Sequence, residues 1–182
     1  MRNPFRDVHN LHGLRVDQGV DYSGSGVIYS PCLAKVIVYN AHDSGWPGPH
    51  GGPGGYIAIR MLHGTKFPSY TVAETAKMID EHYGFPLYWA ENIILNSHLH
   101  VGSLVTNTTP LAVLSDAYPN LEAGFSTENG LRPLAQLYGN VPEHATELGA
   151  SFNKLMVKVG APIGTAETNV VGTLPPNWPT RW

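Results

Sequence analysis

Short apolar runs separated by glycine- and proline-rich turns dominate the first 126 residues. Runs such as "AKVIVYN" (34–40) and "YIAIRML" (56–62) are rich in β-branched and aromatic side chains and end at turn residues. This pattern predicts β-strands. The predicted strands cover residues 15–26, 27–30, 34–40, 56–62, 85–95, 98–105, 110–114 and 120–126. Residues 1–14 have no clear period, and we expect them to form an irregular N-terminal arm.

Two other segments have the helical period. Over 71–83, Thr71 and Glu74 have the spacing of a capping box, and Gly84 follows as a stop signal. Over 143–159, apolar side chains recur at helical spacing. They are Leu148, Phe152, Leu155, Met156 and Val159. The first helix is therefore predicted as an insertion between strands, and the second as an element that packs outside them.

These elements predict a mainly β chain with added helices, a β-rich α+β fold. The predicted organisation is an arm at 1–14, a β domain at 15–126, a helical extension at 127–165 and a proline-rich tail at 166–182. A length of 182 residues is typical of a single domain.

The tail holds the apolar side chains of Leu174, Trp178 and Trp182. Proline fixes φ and removes amide donors, so we expect the tail to run extended instead of joining a sheet. Extended proline-rich segments with aromatic anchors often dock on a partner. We therefore expect these three residues to contact another protein subunit. The alternative is that the tryptophans fold back on the helix at 143–159 of the same chain.

Composition and charge narrow the classes of function. The formal net charge is −3 and only 14% of residues are charged, so we expect no nucleic-acid-binding surface. The single cysteine, Cys32, allows no internal disulfide and no cysteine-rich zinc site. No run approaches the roughly 20 apolar residues that span a bilayer. The first residues lack the apolar core of a signal peptide, so we expect no secretion through that route.

The sequence "NSHLHVGSL" (96–104) places His98 and His100 two residues apart on a predicted strand. Alternate residues of a strand share a face, so both imidazoles could point at one zinc ion. The alternative is a pair of exposed or hydrogen-bonded surface histidines, with Leu99 and Val101 facing inward.

Four motifs in order resemble a known family. They are "RVDQGVDYSGSG" (15–26), "GWPG" (45–48), "YWAENI" (88–93) and "GAP" (160–162). In this order they resemble the lysostaphin-type (LytM) zinc endopeptidases, which cut peptide cross-links in bacterial cell walls. The similarity is to a divergent branch in actinobacteria and their phages. It covers about 15–125 for the fold and 142–165 for a branch-specific helix, and it implies a LytM-like β-sandwich or open-barrel core.

The resemblance also identifies the positions that bind zinc in active members. Asp21 matches the aspartate ligand, but Asp17 stands four residues earlier, where active members have a histidine. Glu122 is nearest to the last histidine ligand, and Glu91 stands in place of a catalytic histidine. The resemblance therefore implies a cleft that is acidic instead of histidine-rich.

We expect no zinc in this cleft. His98 and His100 lie one strand before the position of the zinc-binding pair, so their spacing is interpreted as a coincidence. Zinc hydrolysis uses imidazole ligands that leave one position open for water. A cluster of carboxylates suits Ca²⁺ or Mg²⁺ better.

Two other interpretations of the acidic residues stay open. Paired carboxylates could act as a general acid and base, as in glycosidases. Alternatively the acids have a structural role, in which Asp17 and Asp21 accept hydrogen bonds from turn amides and Glu91 pairs with Arg15 or Arg60.

Three functions follow as hypotheses. The first is a non-catalytic structural or cell-wall-contacting protein on a degenerate LytM-type scaffold, a minor tail or tail-tip component of a phage virion whose partners are other protein subunits. The second is an active peptidoglycan hydrolase. The third is a wall-binding module that recognises peptide or glycan through an aromatic platform of Trp46, Tyr56 and Trp89. The expected location is the virion, with the cytoplasm, or the extracellular space reached without a signal peptide, as alternatives.

Overall fold

The computed structural model of the chain describes residues 1–42, 53–139, 144–166 and 169–182. Within these ranges the strands are β1 (Asp7–Val16), β2 (Val20–Tyr29), β3 (Ala34–Asn40), β4 (Gly55–Met61), β5 (Leu87–Glu91), β6 (Ile93–Leu95), β7 (Leu104–Val105), β8 (Pro110–Leu114), β9 (Asn120–Phe125), β10 (Ala145–Thr146), β11 (Thr165–Ala166) and β12 (Val170–Val171). The helices are α1 (Val72–Glu81) and α2 (Glu147–Lys158), and a short 3-10 helix spans Leu134–Leu137.

A curled, mostly antiparallel sheet forms a half-barrel. Its main path follows the order β11-β1-β2-β9-β5-β4-β3-β7. Strand β2 takes part in two pairings, because residues 20–23 pair with β9 and residues 26–29 pair with β8. Strand β6 pairs with β8, and β10 and β12 form a separate two-stranded sheet. The predicted β-rich α+β fold is confirmed.

Both predicted helices are present. The helix α1 lies between β4 and β5, and Thr71 and Glu74 form the predicted capping box. It buries Thr75, Met78 and Ile79. The helix α2 is capped by Thr146, whose side chain accepts a hydrogen bond from the amide of Gly149. Because Thr146 is the cap, α2 begins four residues later than the predicted start at 143.

The N-terminal arm is not irregular. Residues Asp7–Val16 form β1, which pairs antiparallel with β2. Most side chains of β1 are exposed or half-buried, so its sequence has no apolar period that would predict a strand. Backbone pairing holds β1 instead. Gly26 permits this close pairing, since a Cβ there would overlap the carbonyl oxygen of Asp7. The turn predicted at the Gly-Ser sequence is absent, because β2 continues through it.

The predicted strand at 98–105 is mostly a turn. The amide of Ser103 donates to the carbonyl of His100 at 3.0 Å, and only Leu104–Val105 forms a strand, β7. Val101 is 60% exposed, so the expectation that it faces inward is wrong. Because this segment turns, its side chains do not alternate between two faces of a sheet, as the sequence pattern had suggested.

The tail folds back on its own chain. Trp178 and Trp182 are 7% and 5% exposed, and both belong to the main hydrophobic core. Each indole N–H donates to the hydroxyl of Ser151 on α2, at 2.9 Å in both cases. Leu174 is half-buried against the same core. This corrects the expectation that these residues anchor a partner, because the indoles already have both apolar contacts and a hydrogen-bond acceptor within the chain.

Candidate functional site

Three carboxylates converge where β1, β2 and β9 meet. Asp17 lies in the turn between β1 and β2, Asp21 lies on β2, and Glu122 lies on β9. Asp21 and Glu122 are directly paired in the antiparallel register, so their side chains share one face of the sheet. One carboxylate oxygen from each of the three residues lies within 4.8 Å of the others. We call these three residues the acidic cluster.

Arg15 places a guanidinium group against the acidic cluster. Its Nη2 lies 2.7 Å from Oδ2 of Asp17, and its Nε lies 3.3 Å from Oδ2 of Asp21. Arg15 is on β1 two residues before Asp17, and strand geometry puts both side chains on the same side. The Arg15 side chain is 49% exposed, whereas the two aspartate side chains are 12% and 19% exposed. The cation therefore covers the acidic cluster from the solvent side.

Glu122 is held from inside the protein. It is 3% exposed, and the buried hydroxyl of Tyr88 on β5 donates to its Oε1. The side-chain amide of Gln18 donates to Oε2 at 3.3 Å. The Oε1 of Gln18 in turn accepts from the amide of Gln136 at 3.3 Å. Both oxygens of Glu122 thus have hydrogen-bond partners within the fold.

Burial and mutual repulsion change the pKa values of the acidic cluster. Burial raises the pKa of Asp21 to about 6, with a further contribution from the charge of Asp17 and partial opposition from Arg15. Burial also raises the pKa of Glu122 well above its ordinary value, and the charge of Asp17 adds to this. Burial beside Glu122 raises the pKa of Tyr88 in the same way. For Asp21, the effect of desolvation on the pKa is therefore larger than the opposing effect of Arg15.

The helix α2 fixes the turn that carries Asp17. The backbone N–H and the hydroxyl of Thr146 donate to the carbonyl of Asp17 at 2.9 and 2.7 Å. Gly149 packs so closely on the same carbonyl that a Cβ would overlap it. The Oδ1 of Asp17 accepts from the amide of Gly19 at 3.2 Å, within the turn between β1 and β2.

Glu91, the fourth predicted acid, lies outside the acidic cluster. It ends β5 in a left-handed conformation with φ of 81° and pairs with Gly55 on β4 and Leu121 on β9. Its charge contributes to the raised pKa of Glu122. The structural interpretation of the sequence paired Glu91 with Arg15 or Arg60. In the structure, Arg15 contacts Asp17 and Asp21.

His98 and His100 lie in an exposed turn, not on a strand. The Nδ1 of His100 lies 3.2 Å from the hydroxyl of Ser103. Among the described residues, the acidic cluster is the only group of three side chains placed to share a metal ion, and neither histidine is in it. The pair is therefore separated from Asp21, as the order of the strands predicted.

The predicted aromatic platform does not form at the surface. Trp89 is completely buried, and Tyr56 is 3% exposed with its hydroxyl donating to the carbonyl of Gly130 at 2.7 Å. Trp46 lies outside the described residues. Strands β4 and β5 are buried on both faces. Neither Tyr56 nor Trp89 therefore presents its ring to the solvent.

Sequence reasoning missed the hydrogen-bonding partners of the acidic cluster. Arg15 and Asp17 have the i, i+2 spacing of a strand, which was a usable signal for their contact. Tyr88, Gln18 and Thr146 gave no comparable signal, because their contacts with the cluster join segments distant in sequence or pass through a turn.

The acidic cluster does not fit the zinc ion that the resemblance implies. Zinc sites in proteins normally include imidazole or thiolate ligands, sometimes beside one carboxylate, and all three groups here are carboxylates. Carboxylate oxygens suit Ca²⁺ or Mg²⁺, but two of the three carboxylates already face the guanidinium of Arg15. The positive charge beside the acidic cluster is therefore supplied by Arg15, a residue of the same chain.

No family model, no curated protein and no solved structure matches this chain. No helix among the described residues is long and apolar enough to cross a membrane.

Proposed function

We propose that this chain is a non-catalytic structural or cell-wall-contacting protein built on a degenerate LytM-type peptidase scaffold. One observation carries the proposal: the guanidinium of Arg15 contacts both Asp17 and Asp21, at 2.7 and 3.3 Å. According to the resemblance, these two residues occupy zinc-ligand positions. Arg15 supplies the positive charge that a metal ion would supply in an active member, and it offers no open coordination position for water.

The spacing of the acidic cluster supports the scaffold part of the proposal. The resemblance assigns Asp17, Asp21 and Glu122 to the three ligand positions, although Glu122 is distant in sequence from the two aspartates. Their carboxylate oxygens lie within 4.8 Å of one another. A chance alignment of motifs would not be expected to select three residues that converge in space.

The burial of Glu122 supports the non-catalytic part. Its side chain is covered by the fold, and both oxygens accept hydrogen bonds from Tyr88 and Gln18. A catalytic carboxyl must reach a substrate atom at hydrogen-bond distance. A Glu122 carboxyl that is 3% exposed has little access to a polymer such as peptidoglycan.

The resemblance also carries the proposed location. The similar branch includes proteins of actinobacterial phages, and we propose that the chain is a minor tail or tail-tip component whose partners are other virion subunits and the cell wall. Labelling purified particles of a phage that encodes the chain with a specific antibody tests this location. Absence of the chain from the particles would contradict it.

The decisive experiment restores the zinc ligands. The variant Arg15→Gln, Asp17→His, Glu122→His removes the internal cation and places imidazoles at the two altered positions. We expect it to bind about one Zn²⁺ per chain in calorimetry, since two imidazoles and one carboxylate form a known zinc ligand set. A control variant with Glu128→His in place of Glu122→His keeps the same composition and should not bind. Equal zinc binding by both variants would contradict the scaffold assignment.

The alternative function, an active peptidoglycan hydrolase, is favoured by one observation. Burial raises the pKa of Asp21 to about 6 and the pKa of Glu122 well above its ordinary value, and a carboxyl with a raised pKa is the kind of group that acts as a general acid in glycosidases. Gel zymography on peptidoglycan between about pH 4 and pH 8, with and without added Zn²⁺ or Ca²⁺, separates the two functions. Clearing by the wild type that Asp21→Asn abolishes would establish the hydrolase, and we expect none.

A further inference from the structure

A cavity lies on another part of the molecule, between the end of α1, the 3-10 helix and the tail. Its volume is about 460 Å³, within the usual range of small-molecule sites. The aromatic rings of Phe85, Phe125 and Trp178 form its inner wall. The centroid of Trp178 lies 4.7 Å from that of Phe85 and 4.9 Å from that of Phe125, so this wall is a packed cluster. Tyr83 lies at the mouth and is 63% exposed.

Backbone strain is concentrated around this cavity. Tyr83, Phe85 and Asn177 have φ values of 52°, 42° and 60°, in the left-handed region that bulky residues rarely adopt. They are three of the five non-glycine residues with positive φ in the described part of the chain, and all three line the cavity. Such conformations persist where the surroundings impose them, and they cluster at ligand sites.

The lining offers hydrogen-bond acceptors and negative charge. Pro86, Pro175 and Pro176 line the cavity and have no amide hydrogen to donate. Glu81 and Glu128 also line it, and none of the described lining residues is a lysine or an arginine. His82 lines it as well, but its Nε2 lies 3.4 Å from the carbonyl oxygen of Asn177. This composition disfavours an anionic ligand.

The two carboxylates differ in how far they are already neutralised. Glu81 lies 3.7 Å from Lys77, an exposed pair one helical turn apart. The carboxylate of Glu128 has no ion pair within the described residues, although its main-chain carbonyl accepts a hydrogen bond from Arg60 at 2.8 Å. Glu128 is therefore the group available to a cationic ligand.

We propose that this cavity binds a small apolar ligand bearing a primary ammonium group. The apolar part packs against the aromatic lining, in which Tyr83 presents the most exposed ring, and a cation close to an aromatic face also gains cation–π attraction. The ammonium group donates to the acceptor-rich rim and pairs with Glu128. The proposal does not depend on the scaffold or the location proposed above.

Three probes that share a phenylethyl group test the charge preference on the full chain: 2-phenylethylamine, 2-phenylethanol and 3-phenylpropionate. Titrations followed by calorimetry and by ¹H–¹⁵N correlation spectra give the affinities and the site. We expect the amine to bind about fivefold or more tightly than the carboxylate, as for one charge pair near a protein surface. The shifted signals should include the indole N–H of Trp178.

Variants locate the site and the charge. Glu128→Gln should weaken the amine about fivefold and leave the alcohol unchanged, since only the charge is lost. Leu137→Lys places a cation at the mouth and should abolish amine binding. Asp116→Asn, an exposed carboxylate in the turn between β8 and β9, is the matched control and should change nothing. Thermal unfolding of each variant confirms that it folds.

Several results would overturn the proposal. They are equal or tighter binding of 3-phenylpropionate, an unchanged affinity in Glu128→Gln, an equal loss in Asp116→Asn, or shifts that map away from Trp178. Absence of binding by the amine at millimolar concentration would also overturn it.

Discussion

At the scale of single residues, Arg15 decides the character of the acidic cluster. Asp17, Asp21 and Glu122 would repel one another at distances below 5 Å if all were ionised and unpaired. The guanidinium of Arg15 contacts the two aspartates on one side, and the hydroxyl of Tyr88 donates to Glu122 on the other. Both contacts reduce this repulsion. Burial, with a smaller contribution from the charge of Asp17, still raises the pKa values of Asp21 and Glu122 above their ordinary values.

Replacing Arg15 should therefore destabilise the fold at neutral pH. The variant Arg15→Gln leaves Asp17 and Asp21 without their cation, and we expect the free energy of unfolding to fall by about 1–3 kcal/mol. The half-exposed position of Arg15 favours the lower end of this range. Urea denaturation at pH 7 measures it. Arg132→Gln is the control, because Arg132 is exposed and has no ion pair within the described residues; an equal effect of both substitutions would contradict the role of Arg15.

The pKa of Asp21 predicts a pH dependence with a definite sign. Burial raises this pKa from 3.8 in the unfolded chain to about 6 in the fold. A carboxyl of this kind stabilises the fold fully below its unfolded pKa, and the contribution is lost as the pH rises through the folded value. Between about pH 3 and pH 7 the loss is on the order of 3 kcal/mol.

The variant Asp21→Asn isolates this contribution, because the amide does not ionise. The difference in free energy of unfolding between variant and wild type should shift in favour of the variant as the pH rises from about 4 to about 6. Denaturation curves at several pH values measure the difference. Asp116→Asn, at an exposed position, is the control measured in parallel. A pH-independent difference for Asp21→Asn would show that its pKa is not raised.

At the scale of elements, the contact between α2 and the Asp17 turn connects the second helix to the candidate site. Thr146 caps α2 and also donates twice to the carbonyl of Asp17. Gly149, in the first turn of α2, lies directly against that carbonyl. A glycine in a helix normally costs stability, so its presence here is explained by the close approach of the two segments.

The variant Gly149→Ala tests this contact. Helix propensity alone predicts stabilisation by about 1 kcal/mol. The added Cβ would overlap the carbonyl oxygen of Asp17, and we expect overpacking to win, with a net loss of about 1–3 kcal/mol. Lys154→Ala, at an exposed position on the same helix, should be near neutral. Chemical denaturation distinguishes the outcomes, and a stabilised Gly149→Ala would mean that the helix can shift away from the turn.

The hydroxyl of Ser151 is a second such contact, because it accepts from both tail indoles. Ser151→Ala leaves two buried N–H groups without an acceptor, and we expect a loss of about 2–4 kcal/mol. Ser69→Ala, at an exposed position, is the control. Melting temperatures of the two variants check this, and equal values would show that the indoles find other partners.

At the scale of the whole molecule, the tail is part of the core. Trp178 and Trp182 belong to the same cluster of buried side chains as residues of β2, β5, β9 and α2. The ring of Trp182 lies 5.2 Å from that of Phe67 and 6.0 Å from that of Phe125. The last residues of the chain therefore join elements that are far apart in sequence.

Deleting residues 174–182 should therefore prevent stable folding. Loss of a single buried tryptophan costs about 3–5 kcal/mol, and a whole domain is stable by only about 5–15 kcal/mol. We expect the truncated chain to lose the near-ultraviolet circular dichroism and the dispersed NMR spectrum of the full chain. A truncated chain that folds normally would mean that the tail is an accessory segment, as the sequence pattern had suggested.

The sequence by itself determined the features that depend on local spacing. The β-rich composition, the strands β3, β4, β5, β8 and β9, and the capping box of α1 follow from residues close together in the chain. The resemblance singled out Asp17, Asp21 and Glu122 in the sequence, and the structure shows that one carboxylate oxygen of each lies within 4.8 Å of the others.

Only the tertiary structure decided the features that depend on contacts between distant segments. The strand β1 has few buried side chains and is held by backbone pairing with β2, so no apolar period could reveal it. Burial on both faces of β4 and β5 removed Tyr56 and Trp89 from the surface. The direction of the tail was decided in the same way: a tryptophan gains similar free energy from any apolar groove, and only the fold shows that the groove is in its own chain.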